Sequence, residues 1–89
     1  MLEGEIKSLM TLPTAALEFL YNNARAANVP LPQANDDLYK MGILNSLEVA
    51  ELVSILEENC DIKILDVDVN SSNFQSISAI ERYVESLMS

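Results

Sequence analysis

The sequence contains no histidine, one cysteine, two glycines and only five basic residues among 89. Without histidine, neither a Ser-His-Asp nor a Cys-His nucleophilic system can be assembled, and no His-containing metal site is available. Cys60 stands alone, which excludes an internal disulfide and a CxxC redox pair. Its place on an apolar helical stripe marks it as a small buried hydrophobe rather than a reactive thiol. The chain is therefore not expected to be an enzyme. No apolar run approaches the roughly 20 residues of a membrane span. The first ten residues carry Glu3 and Glu5 and lack the basic start of a secretory signal. A cytoplasmic location and no membrane partner are expected.

Basic charge is scarce, and the 14 acidic residues leave a net charge of -9. Such a surface repels nucleic acid and anionic membranes and attracts basic protein patches, so the expected partner is a protein. With 49% apolar residues and so little glycine, a packed helical domain is expected rather than disorder. A chain of 89 residues suits one small domain with a limited core, here read as a monomer.

Residues 1–12 are weakly amphipathic around Gly4 and are broken off by Pro13, which reads as an N-terminal extension or a short helix. From Thr14, a candidate cap, Leu17, Leu20, Tyr21, Ala24 and Ala27 follow one helix face and predict a first helix ending near Asn28. Val29-Pro30-Leu31-Pro32 cannot continue it. A long loop follows, in which residues 35–42 read as one helical turn capped by Asn35 and stopped by Gly42. Leu38 and Met41 are expected to pin it to the core. A second helix is predicted from Ser46 to about Cys60. At 100° per residue, Val49, Leu52, Val53, Leu56 and Cys60 form its inward stripe. Leu47, Glu51, Ser54, Ile55 and Glu58 fall on the opposite side, with Glu48 at the margin, so two large aliphatics sit outward among carboxylates.

Residues 61–65 read as a loop with apolar anchors. The run Asp66-Val67-Asp68-Val69-Asn70-Ser71-Ser72 imitates a calcium loop. It fails because Ser71 stands where a glycine is needed for the sharp turn and Ile77 where a bidentate glutamate is needed. A short third helix or turn fits better. Ser76 is a candidate cap for a last helix with Ile77, Ile80, Val84 and Leu87 inward and Phe74 packed back as a staple. The expected fold is all-α: a small four-helix bundle, three principal helices plus one short one, with a long first loop.

The most informative stretch is residues 42–49. Asn45 can cap the second helix through its side-chain oxygen, and Glu48 three positions on can complete a capping box. Ser46 then becomes the first helical residue, an exposed alcohol over the positive end of the helix dipole with unpaired first-turn amides beside it. A phosphate ester would be stabilised there.

Taken in order, these parts resemble the acyl carrier and peptidyl carrier protein family. The resemblance runs from Thr14 to Leu87. It is carried by the Asp36-Asp37-Leu38 turn, by Gly42-Ile43-Leu44-Asn45-Ser46-Leu47, by Glu57-Glu58 late in an acidic second helix, and by Asn73-Phe74-Gln75-Ser76-Ile77-Ser78-Ala79-Ile80. It implies a carrier domain over residues 13–89. It further implies that Ser46 receives 4′-phosphopantetheine from a phosphopantetheinyl transferase, and that the arm's thiol carries an acyl or aminoacyl group as a thioester. Leu47, Glu48, Glu51, Ile55 and Glu58 would face partner enzymes with basic rims, among them acyl- or aminoacyl-loading ligases or synthases. Asn73-Phe74 and the Gly-Ile-Leu run resemble free-standing carriers loaded by an adenylating ligase. Asn45 departs from the family's usual aspartate; it keeps the capping acceptor but loses a negative charge beside the serine. The rival reading from the residues alone is a non-enzymatic acidic helical adaptor that docks a basic partner through the second helix, with Ser46 serving only as a cap.

Overall fold

The computed structural model describes residues 11–88, so nearly all of the expected N-terminal extension or short helix at 1–12 lies outside the described residues. The described part is all-α, with α1 at Thr14–Ala27, α2 at Ser46–Cys60, a 3-10 turn at Asp66–Asp68, the short α3 at Ser71–Phe74, and α4 at Ile77–Met88. This is the expected small four-helix bundle, three long helices and one short, with a long first connection. No helix among the described residues is long and apolar enough to cross a membrane.

Helix α1 starts one residue earlier than a Thr14 cap would allow. Pro13 takes the cap position, and its carbonyl accepts from the amides of Ala16 at 2.9 Å and Leu17 at 3.1 Å. A proline there has its φ already set and no N–H to satisfy. The buried stripe is correspondingly Ala16, Leu20 and Ala24, while Leu17 and Tyr21 are half-buried and Ala27 is exposed. The helix closes at Asn28 in the left-handed conformation, φ 60°, where the amides of Asn28 and Val29 reach back to Arg25 and Ala24 at 3.1 Å each.

The connection between α1 and α2 is built around Leu38, whose side chain is fully buried. Its amide donates to the Gln75 carbonyl at 2.7 Å, and its own carbonyl accepts from Ile43 at 3.0 Å and Leu44 at 3.2 Å. The cap of this turn is Asp37 rather than Asn35. Asp37 Oδ1 accepts from the amides of Tyr39 and Lys40, and Oδ2 accepts from Gln75 Nε2 at 3.0 Å. These bonds, that to Gln75 foremost, hold its carboxyl below the ordinary value. Gly42 ends the turn at φ +83°, a conformation that a side chain would strain. Ile43 and Leu44 then enter the core just ahead of α2.

Helix α1 packs on α2, and α3 on α4. Val49, Leu52 and Leu56 bury the inward face of α2, with Val53 and Cys60 half-buried at its edges. Cys60 is thus less enclosed than expected, although burial still pushes its thiol up, away from thiolate character. Ile64 anchors the 61–65 loop. Ser76 Oγ caps α4 by accepting from the Ala79 amide at 3.1 Å, and Ile77, Ile80 and Val84 are buried. Phe74 is fully buried, its ring 5.8 Å from that of Tyr83. Leu87 was expected inward but is 37% exposed, because residues 85–88 run past the end of the core.

Leu38→Ala should lower unfolding free energy by about 2–5 kcal/mol, the usual penalty for emptying a tight core site. At Gly42 an added Cβ would meet no atom within 4 Å, so Gly42→Ala should cost only the backbone strain, about 1–2 kcal/mol. Urea midpoints of the two variants check both.

Candidate functional site

The N-terminus of α2 is built from both sides of Ser46. Asn45 is extended, φ -140° and ψ -174°, and its Oδ1 accepts from the amides of Leu47 at 3.0 Å and Glu48 at 2.9 Å. Its carbonyl accepts from Val49 at 2.8 Å, the first bond of the helix. Ser46 is consequently the first helical residue, and it is exposed. The expectation of open first-turn amides needs one correction. Those of Leu47 and Glu48 already serve the Asn45 cap, so a phosphate on Ser46 would draw mainly on the helix dipole.

Glu48 does not reach back to close a capping box. Its Oε1 accepts instead from Asn23 Nδ2 of α1 at 3.2 Å, and the same nitrogen donates to the Ile43 carbonyl at 3.2 Å. A neighbouring helix supplies a donor that competes with the local one. Asn23 was missed in the sequence because its partners lie 20 and 25 positions away.

Beside Ser46 lies a cavity of about 360 Å³ lined by Ser46, Val49, Ala50, Val53, Asp66 and Val69. Its far wall is the 3-10 turn, which α4 and α3 hold in place. Tyr83 OH donates to Asp68 Oδ2 at 2.8 Å, and Asn73 Nδ2 to the Asp68 carbonyl at 2.9 Å. Burial, then the hydrogen bond to Asp68, pushes the Tyr83 hydroxyl up to about 12. Two side-chain oxygens of the apparent calcium loop are engaged internally: Asp68 Oδ2 accepts from Tyr83, and Asn70 Oδ1 caps α3 through the Asn73 amide.

On the outer face, Leu47 is 76% exposed, and Ala50, Glu51, Ser54 and Glu58 are also exposed. Ile55 departs from the expected outward position. It is half-buried and packs against the core. Glu48 is half-buried. Glu58 lies about 18 Å along the axis from Ser46 at the rise of an α-helix, so it does not join the helix tip. Two exposed aliphatics that periodicity did not single out are Leu65, just before the 3-10 turn, and Val67, within it, at 57% and 78% exposure.

Ser46 therefore combines an accessible alcohol, a capped helix tip and an adjoining apolar hollow, a setting that accommodates a phosphodiester-linked arm. Asn45→Ala should destabilise the fold by about 1 kcal/mol through loss of the cap, measured by denaturant titration. Tyr83 gives a pH signature. An unfolded tyrosine releases its proton near pH 10.0, whereas the folded chain holds this one to about 12. The associated stability is complete below about pH 10 and is lost as pH rises through about 12. Between those values the wild type should lose stability more steeply than Tyr83→Phe.

The sequence model described as "Phosphopantetheine attachment site" matches residues 24–84, from the last buried turn of α1 to the last buried residue of α4. No curated protein and no solved structure matches the chain. With well over half its length matched, the chain belongs to the phosphopantetheine attachment site family, non-catalytic carrier domains that bear 4′-phosphopantetheine covalently.

Proposed function

We propose that Ser46 is the attachment residue and that the chain carries acyl or aminoacyl groups between partner enzymes. One observation carries this reading: Ser46 is an exposed alcohol at the first position of a 15-residue helix inside the matched span. Ser71 also opens a helix, but that helix has four residues and little dipole to offer. Ser76 is occupied as a cap.

In the attachment step, Ser46 Oγ attacks the pantetheine-side phosphorus of coenzyme A. The new Oγ–P bond replaces the phosphoanhydride bond, adenosine 3′,5′-bisphosphate departs, and the serine proton passes to a base of the phosphopantetheinyl transferase. The chain has no histidine to take it. Once bound, the arm supplies a terminal thiol that holds cargo as a thioester. Asn45 keeps the helix tip formed, and the dipole of α2 favours the phosphodiester charge. The aliphatic lining of the hollow beside Ser46 supports an apolar acyl cargo.

Leu47, Glu51 and, further along, Glu58 present an apolar contact and negative charge to loading ligases or synthases with basic rims; Ile55 and Glu48 contribute through their exposed parts. Electrostatic complementarity of this kind speeds encounter and leaves complexes short-lived and salt-sensitive, which suits a shuttle. Asn45 in place of aspartate removes one charge from the surface the transferase meets and bears on which transferase accepts the chain.

Incubation with coenzyme A and a broad-specificity phosphopantetheinyl transferase should raise the intact mass by one arm, and Ser46→Ala should abolish the gain. Failure of the wild type with several transferases would count against the assignment. Glu51→Lys should lower partner turnover while changing stability by no more than about 0.5 kcal/mol. If Ser46→Ala preserved function in the native pathway and Leu47→Ala destroyed it, the adaptor reading would stand instead.

A further inference from the structure

Asn23 of α1 directs one side-chain nitrogen at both flanks of the helix tip. That nitrogen has two hydrogens to give. It lies 3.2 Å from the Ile43 carbonyl, three residues before Ser46, and 3.2 Å from Glu48 Oε1, two residues after it. The Asn45 cap fixes this segment only relative to the axis of α2, whereas Asn23 fixes it relative to a different helix. Asn23 is half-buried and takes no part in the hydrophobic core. It borders an open cavity of about 220 Å³ together with Ala27, Gly42 and Asn45, so water can take over its bonds if they are broken. The tie is thus placed to govern local geometry at the tip more than the stability of the bundle.

We propose that Asn23 is a positioning residue for arm transfer, acting through Ile43 and Glu48 and not on the reacting atoms. This inference rests on the assignment of Ser46 as the attachment residue. Two acceptors on either side of the serine, held from one point on α1, limit both sliding and twisting of the tip. Attack on phosphorus requires an aligned hydroxyl, and a misplacement of about 1 Å can cost as much as about 100-fold in rate. Glu48 acquires a second task on this account, because its carboxylate is one of the two handles by which α1 holds the tip.

Asn23→Asp keeps the side-chain shape but sets a carboxylate against the Ile43 carbonyl and Glu48. With saturating coenzyme A, kcat for arm transfer should fall about tenfold while KM for the carrier stays within about twofold. In the unmodified chain, hydrogen exchange at the Leu47 and Glu48 amides should accelerate, with Leu52 and Leu56 at the buried centre of α2 unchanged. Adding Glu48→Gln to Asn23→Asp re-forms the contact with donor and acceptor exchanged, and should recover part of the kcat lost in Asn23→Asp alone. If Asn23→Asp fails to fold, Asn23→Ser, which is too short to reach either acceptor, takes its place. An unchanged kcat, an effect confined to KM, or faster exchange spread evenly over all helices overturns the proposal. A wild type that never accepts the arm fails at the earlier step and overturns the Ser46 assignment with it.

Discussion

Leu38 is the point on which the rest of the structure depends. Its side chain is sealed in the core, its amide is tied to Gln75 at the approach to α4, and its carbonyl collects the amides of Ile43 and Leu44. A connection of this length between α1 and α2 would otherwise be free to wander, at an entropic cost each time it had to be ordered. A single buried residue with both backbone groups engaged divides it into two short spans. A second tie, from the Ser78 amide to the Ala34 carbonyl at 2.9 Å, fixes its first half. The tip of α2 is therefore set by the far end of the chain, through Gln75, and by α1, through Asn23.

Charge is arranged around that framework with little cost to the fold. The buried residues include no polar or charged side chain among those described, and no buried side-chain polar atom lacks a partner. The acidic excess is carried at the surface, where single charges contribute little to stability and remain available for encounters with other proteins. The interactions that matter for the tip are neutral or half-neutral. Asn45 caps with an amide oxygen, and Asn23 holds with an amide nitrogen. An aspartate at position 45 would cap equally well and add charge, so the asparagine changes the surface offered to partners more than the helix itself.

Much of this was legible in the residues. Prolines at 30 and 32 ended the first helix, Asn45 and Ser76 announced the starts of α2 and α4, and the period of the apolar positions gave the inward face of α2. Each is a local effect, decided within one turn of chain. Thr14 lost the cap to its neighbour Pro13, which is also a local effect. The other misreadings have a different cause. Asn35 lost the cap to Asp37, which also gains Gln75 from 38 positions away. Glu48 left the capping box for Asn23, and Ile55 and Leu87 changed exposure according to where the core ends.

The sequence by itself determined the class of the fold, the absence of any histidine-based chemistry, and the position of Ser46 at the head of the second helix, because composition and capping act over a few residues. Tertiary structure decided what surrounds that serine: the hollow against Asp66 and Val69, the Tyr83–Asp68 tie behind it, and the Asn23 contacts in front. Those depend on which helices meet and at what height, and no periodicity within one segment encodes the side chain that another segment brings to it.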